Sequence, residues 1–99
     1  MSIGETGQRA AACLAVEGEM TIYRAAELKP ALLEAVHAHE APEIDLSAVT
    51  EFDSAGLQLL LLARREAGHL GRRLKLTAPA PAVRDVFALL GMDLEGTWA

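Results

Sequence analysis

Asp53-Ser54-Ala55-Gly56-Leu57 sets a carboxylate, a hydroxyl and a glycine side by side where a strand gives way to a helix. Upstream, Glu43-Ile44-Asp45-Leu46-Ser47-Ala48-Val49 reads as a strand followed by a turn. Downstream, Leu57 to Ala67 is a dense apolar run ending in Arg64, Arg65 and Glu66, which reads as a helix. Serine at such a junction has two uses. Its oxygen can cap the first turn by accepting a backbone N–H bond, a contribution of about 1 kcal/mol. The same oxygen can carry a phosphate facing the positive end of the helix dipole. A phosphate adds about −1.5 to −2 charges and three acceptor oxygens. Beside Asp53 it makes a concentrated negative patch. From spacing alone the cap is the commoner outcome.

The neighbours of Ser54 divide in the same way. Asp53 is either a turn former or the group that orients the hydroxyl and meets a partner. Gly56 lets backbone approach without a side chain, for helix–sheet packing or for contact. Asp45, placed at the end of a strand near the same corner, is expected to hydrogen-bond the loop. Glu17, Glu19, Thr21, Tyr23 and Arg24 border this end, and Tyr23 is the second candidate contact residue.

Other chemistries find less support. His37 and His39 are two apart on a helix and point to different faces, which argues against a metal pair. His69 stands alone near a helix end. No serine has a histidine–carboxylate relay nearby in sequence. No glycine loop of the phosphate-cradling kind is present. The chain reads as a binding protein with no catalytic residue, metal or cofactor.

The elements that must position these residues are set by periodicity. Ala12 to Met20 reads as a strand, weakened by alanine, a poor strand former. Thr21 is placed to cap the element after it. Ala25 to Ala38 has helical composition, with Leu28, Leu32, Ala35, Val36 and His39 on one face. Pro30 is awkward there, so the helix either starts near Lys29 or kinks. Glu43 to Ser47 forms the next strand. Ala55 to His69 forms the second helix, whose five leucines within six positions predict the deepest burial. Leu74 and Leu76 alternate with Arg73, Lys75 and Thr77, the pattern of a half-buried strand. Pro81 or Ala82 opens a third helix with Val83, Val86, Phe87 and Leu90 in one stripe. Strands alternating with helices predict an α/β fold: a mainly parallel mixed sheet of about four strands covered by three or more helices.

The 99 residues suit one domain. Residues 1–10 are expected as a flexible segment or an edge strand, and 11–99 as the single domain. A net charge of −5 argues against general nucleic-acid binding. The cations Arg64, Arg65, Arg72, Arg73 and Lys75 read as the solvated end of a helix and the start of a strand. Cys13, the one cysteine, reads as a buried inert thiol. The N-terminus lacks the pattern of a signal peptide, and no apolar run approaches the roughly 20 residues of a spanning helix. A cytoplasmic protein with no membrane insertion is the expectation.

Ile44-Asp45-Leu46-Ser47 followed by Phe52-Asp53-Ser54-Ala55-Gly56-Leu57 resembles the signature of STAS domains, the anti-sigma factor antagonist family. Glu17-Gly18-Glu19-Met20 before the first helix and Leu74-Lys75-Leu76-Thr77 after the second match as well. So do Pro81-Ala82-Val83-Arg84-Asp85-Val86-Phe87 and Leu89-Leu90-Gly91-Met92. The resemblance spans roughly residues 12 to 94. It implies a STAS-like fold and a serine, Ser54 by position, that is phosphorylated by a partner kinase which is itself the anti-sigma factor. The implied partner is such a serine kinase or a related sensor kinase, bound through Asp53, Ser54, Gly56, Tyr23 and Asp45. Proteins of this length also resemble the cytoplasmic subunit of a lipid-transporting ABC complex. In that alternative the domain holds the ATPase without phosphorylation. Thr21 to Leu28 resembles stand-alone members of chemotaxis-type clusters. Compared with longer relatives the chain stops early, which leaves the C-terminal edge of the fold open.

Overall fold

The structure, a computed structural model, describes residues 14–92. Along the chain run β1 (Leu14–Met20), a 3-10 turn (Ile22–Arg24), α1 (Ala25–Ala38), β2 (Glu43–Phe52), α2 (Ser54–His69), β3 (Lys75–Thr77) and α3 (Pro81–Leu89). The strands lie in the order β1-β2-β3, and both pairings are parallel. The α/β class and the parallel sheet agree with expectation. The strand count does not: the described residues hold three strands rather than about four, with no antiparallel pair. The expected edge strand at 1–10, Cys13 and the chain's last residues lie outside the described residues.

One core joins the sheet to its helices. Val16 and Met20 of β1 and Ile44, Leu46 and Val49 of β2 are buried, while the intervening Ala15, Glu17, Ser47 and Thr50 are exposed. This is the period-two alternation of a strand with one face covered. Leu28, Leu32 and Val36 of α1, Leu57, Leu60 and Ala63 of α2, and Val83 and Phe87 of α3 close over that face. α1 packs on α2 and β1, and α3 packs on β2.

α1 starts at Ala25, not near Lys29, and takes in Pro30 with its ring exposed. The proline forgoes one intrahelical bond and costs no core contact. α2 ends where Gly71 turns left-handed at φ 72. Arg72 N–H donates to the Ala67 carbonyl at 2.8 Å and Gly71 N–H to Gly68 at 3.1 Å, a Schellman closure. Arg72 then ties two helices together, its guanidinium donating to the Val36 and His37 carbonyls at 2.8 and 2.7 Å. These carbonyls are the unpaired C-terminal acceptors of α1. His37 Nε2 meets Glu66 of α2 at 2.7 Å, while both ring nitrogens of His39 are buried without a partner.

β2 runs ten residues to Phe52, five beyond the expected end at Ser47. Its register against β1 slips twice, between Ala15 and Glu17 and between Gly18 and Glu19. Each slip inserts an extra residue in β2 and breaks the alternation from which a strand is recognised. The extension carries the chain to the corner where the candidate site stands.

Candidate functional site

The corner is built from two junctions, β1 to α1 and β2 to α2. Asp53, not Ser54, is the N-cap of α2, which corrects the capping role expected of the serine. Asp53 has extended backbone, and its Oδ1 accepts from Ala55 N at 2.9 Å and Gly56 N at 3.2 Å. Its Oδ2 accepts from Ile22 N at 3.5 Å across the corner. One carboxylate thus caps its own helix and ties down the neighbouring turn. Either residue is a good cap. Asp53 takes the task because it is the last residue before helical backbone begins.

Ser54 is therefore the first residue of α2. It is exposed, and its hydroxyl makes no hydrogen bond to any described residue. Gly56 is buried: a Cβ there would lie 2.3 Å from the Met20 carbonyl oxygen and 2.9 Å from the Phe52 ring. It lets the first turn of α2 sit on the end of β1, and it offers no surface to a partner. Phe52 in turn stacks near Phe87 of α3, ring centroids 6.2 Å apart. All three helices thus bear on the corner.

Tyr23 stands beside this group on the 3-10 turn, 88% exposed, with Ile22 at 67%. Thr21 caps that turn as expected: its buried hydroxyl accepts from Tyr23 N at 3.3 Å and donates to Glu19 at 3.1 Å. Arg24 braces it from behind, paired with Glu27 through a 3.1 Å ion pair. The hydrogen bond to Glu27, then that residue's charge, holds the guanidinium above its ordinary value, and Arg24 in the same two ways holds the Glu27 carboxyl below its own.

Asp45 is not part of this corner. It is the third residue of β2, paired with Ala15 and Thr77, and its Oδ1 accepts from Ser47 N at 2.8 Å at the first register slip. Seven strand residues separate it from Asp53, about 20–25 Å of chain. Its expected position came from ending the strand too early. Ile22 was not foreseen. The signal available was that Ile22 and Tyr23 fall off the Leu28–Leu32–Val36 stripe although they are apolar.

A parallel sheet under three helices, with a capped corner whose Ser54 hydroxyl makes no hydrogen bond to a described residue, defines a small α/β domain. The chain belongs to the STAS family: the family model described as "Mlab, STAS domain" matches residues 3–94. Among solved structures it is similar to that of the anti-sigma factor antagonist SpoIIAA in its unphosphorylated form. The two are 26% identical with a TM-score of 0.67, over 86% of this chain and 74% of that one. No curated protein matches the chain. Among the described residues no helix is long and apolar enough to cross a membrane.

Proposed function

We propose that this STAS domain is a partner-switching regulator that docks a serine kinase anti-sigma factor, or a related sensor kinase, through the Asp53–Ser54 corner. Phosphorylation of Ser54 releases the partner. The observation that carries this reading is the division of labour at the corner. Asp53 performs the cap, so the Ser54 hydroxyl is exposed and structurally idle, and its modification need not disturb the helix start. Ile22 and Tyr23 supply exposed contact area next to it. The likeness to an anti-sigma factor antagonist supports the class of role.

The test is affinity capture from the native cell's lysate with native and Ser54→Asp baits. A kinase held by the native bait and lost with Ser54→Asp, together with phosphate on Ser54 after incubation with that kinase and ATP, is the expected result. Equal capture by both baits overturns the switch.

A second reading is the cytoplasmic subunit of a lipid-transporting ABC complex. The observation favouring it is the matching family model, which carries the word Mlab beside STAS. In that case an ATPase is held equally by both baits, and Ser54 is a packing residue at the interface.

A further inference from the structure

Arg24 uses its whole guanidinium on one small region. Nη1 donates to the backbone carbonyls of Glu17 and of Glu19, the latter at 2.9 Å. Nε and Nη2 donate to the two carboxylate oxygens of Glu27 at 3.3 and 3.1 Å. Gly18, between the two carbonyls, is left-handed at φ 81, and a Cβ on it would stand 3.3 Å from Nη1. The planar fork therefore bolts the end of β1 to the first turn of α1. Between the bolted pieces lies only Met20 to Tyr23, the segment that presents Ile22 and Tyr23 and sends the Ile22 amide to Asp53.

We propose that Arg24 is a positioning residue for the docking corner: it holds the Ile22–Tyr23 turn in its binding conformation before any partner arrives. This rests on the reading of that corner as the docking face. A side chain presented on a rigid turn loses less freedom on binding than one on a mobile loop. A lysine cannot do the same, because a point charge on a flexible stem does not span two carbonyls and a carboxylate at once.

The test is 15N relaxation on the full chain. In the native protein the Ile22 and Tyr23 amides should show order parameters near the rigid value of about 0.85. In Arg24→Met they should drop below about 0.6, while Ile44 and Leu46 in the core strand stay unchanged. Arg24→Lys should fall between, and Glu27→Gln should loosen the turn less than Arg24→Met because the carbonyl contacts remain. Acid supplies an independent arm. The folded Glu27 carboxyl titrates below its ordinary value of 4.5, so the Glu27 half of the fork is whole above that pH and is lost as pH falls through the lowered value. The two carbonyl contacts remain. The carboxylates of Glu19 and Asp53 also face this turn, one accepting from Thr21 and the other from Ile22 N. Acidification should therefore loosen the native turn more than that of Glu27→Gln, and equal loosening in the two overturns the Glu27 half of the fork. Order parameters unchanged in Arg24→Met, or lost equally in β2, overturn the proposal. The switch is judged separately. If Ser54→Asp loses the kinase while Arg24→Met captures it as well as the native bait, Arg24 is not a positioning residue and the switch stands. If the Ser54 baits do not differ, the switch fails and the relaxation data still decide on Arg24.

Discussion

At the scale of single residues, the corner turns on which of two adjacent capping residues does the capping. Asp53 holds three backbone amides with one carboxylate, two on its own helix and one on Ile22. Asp53→Ala should therefore cost about 1–2 kcal/mol, the upper part of the range for a lost N-cap. Ser54→Ala removes a hydroxyl without a partner and should stay within about 0.5 kcal/mol of the native protein. Urea unfolding of the two variants measures both. A larger loss in Ser54→Ala would return the cap to the serine and remove the ground for treating its hydroxyl as idle. The sequence made the corner and its residue types legible, since Asp, Ser and Gly cluster only where backbone changes course. It left the assignment open because Asp and Ser satisfy the same amides equally well, and only the point at which helical backbone begins separates them. Ile22 is legible only through its place off the Leu28–Leu32–Val36 stripe, a weak signal. An apolar residue beside a helix stripe looks like core until packing shows that nothing covers it.

At the scale of elements, patterns that repeat were readable and patterns that slip were not. α1 was legible in its composition over Ala25–Ala38 and in its buried stripe, because Leu28, Leu32 and Val36 keep helical spacing. Pro30 argued for a later start, yet solvent accommodates its ring and α1 begins a full turn before it. β2 was cut short because two register slips destroy its alternation after Ser47, and that misplaced Asp45 at the site. In α3, Val83 and Phe87 are buried as their spacing required, but Leu90, on the same stripe, falls at the C-cap just past the helix and is half exposed. The joint between α2 and β1 depends on Gly56, whose missing Cβ leaves room for the Met20 carbonyl. Backbone, unlike a flexible side chain, cannot step aside, so Gly56→Ala should cost at least about 2 kcal/mol as an overpacked site. Thermal unfolding should show it as a lowered Tm, along with shifted amide resonances at Phe52 and Met20. An unchanged Tm would mean that α2 can slide on the sheet, and the corner would then lack the fixed geometry assigned to it.

At the scale of the whole molecule, charge is segregated. Residues 64–75 hold five cations and one acid, a net +4, so the other residues carry −9 within a total of −5. α2, 16 residues and about 24 Å long, separates its cationic end from the Asp53–Ser54 corner. Around that corner stand Glu19, Glu51 and Asp53, while Arg24 is already committed to Glu27. On the partner-switching reading, the bare corner is thus acidic, and the partner accepts it so. One more anionic group changes little in the long-range field. Its effect must be local: Asp53 already occupies the Ala55 and Gly56 amides that a phosphate on Ser54 would seek, leaving the new charge to be buried unpaired on docking. That penalty, several kcal/mol for a desolvated charge, lies within the contact and is beyond the reach of mobile ions. Repulsion between separated surfaces behaves otherwise, since the screening length falls from about 10 Å at 0.1 M salt to about 3 Å at 1 M. The comparison of Ser54→Asp with Ser54→Asn, equal in size and different in charge, isolates the term. Their ratio of partner Kd, measured by calorimetry, should hold within about twofold from about 0.1 to 0.5 M salt if the penalty is local. A ratio that collapses toward one as salt rises would locate the release in long-range repulsion, and the Asp53 cap would then play no part in it.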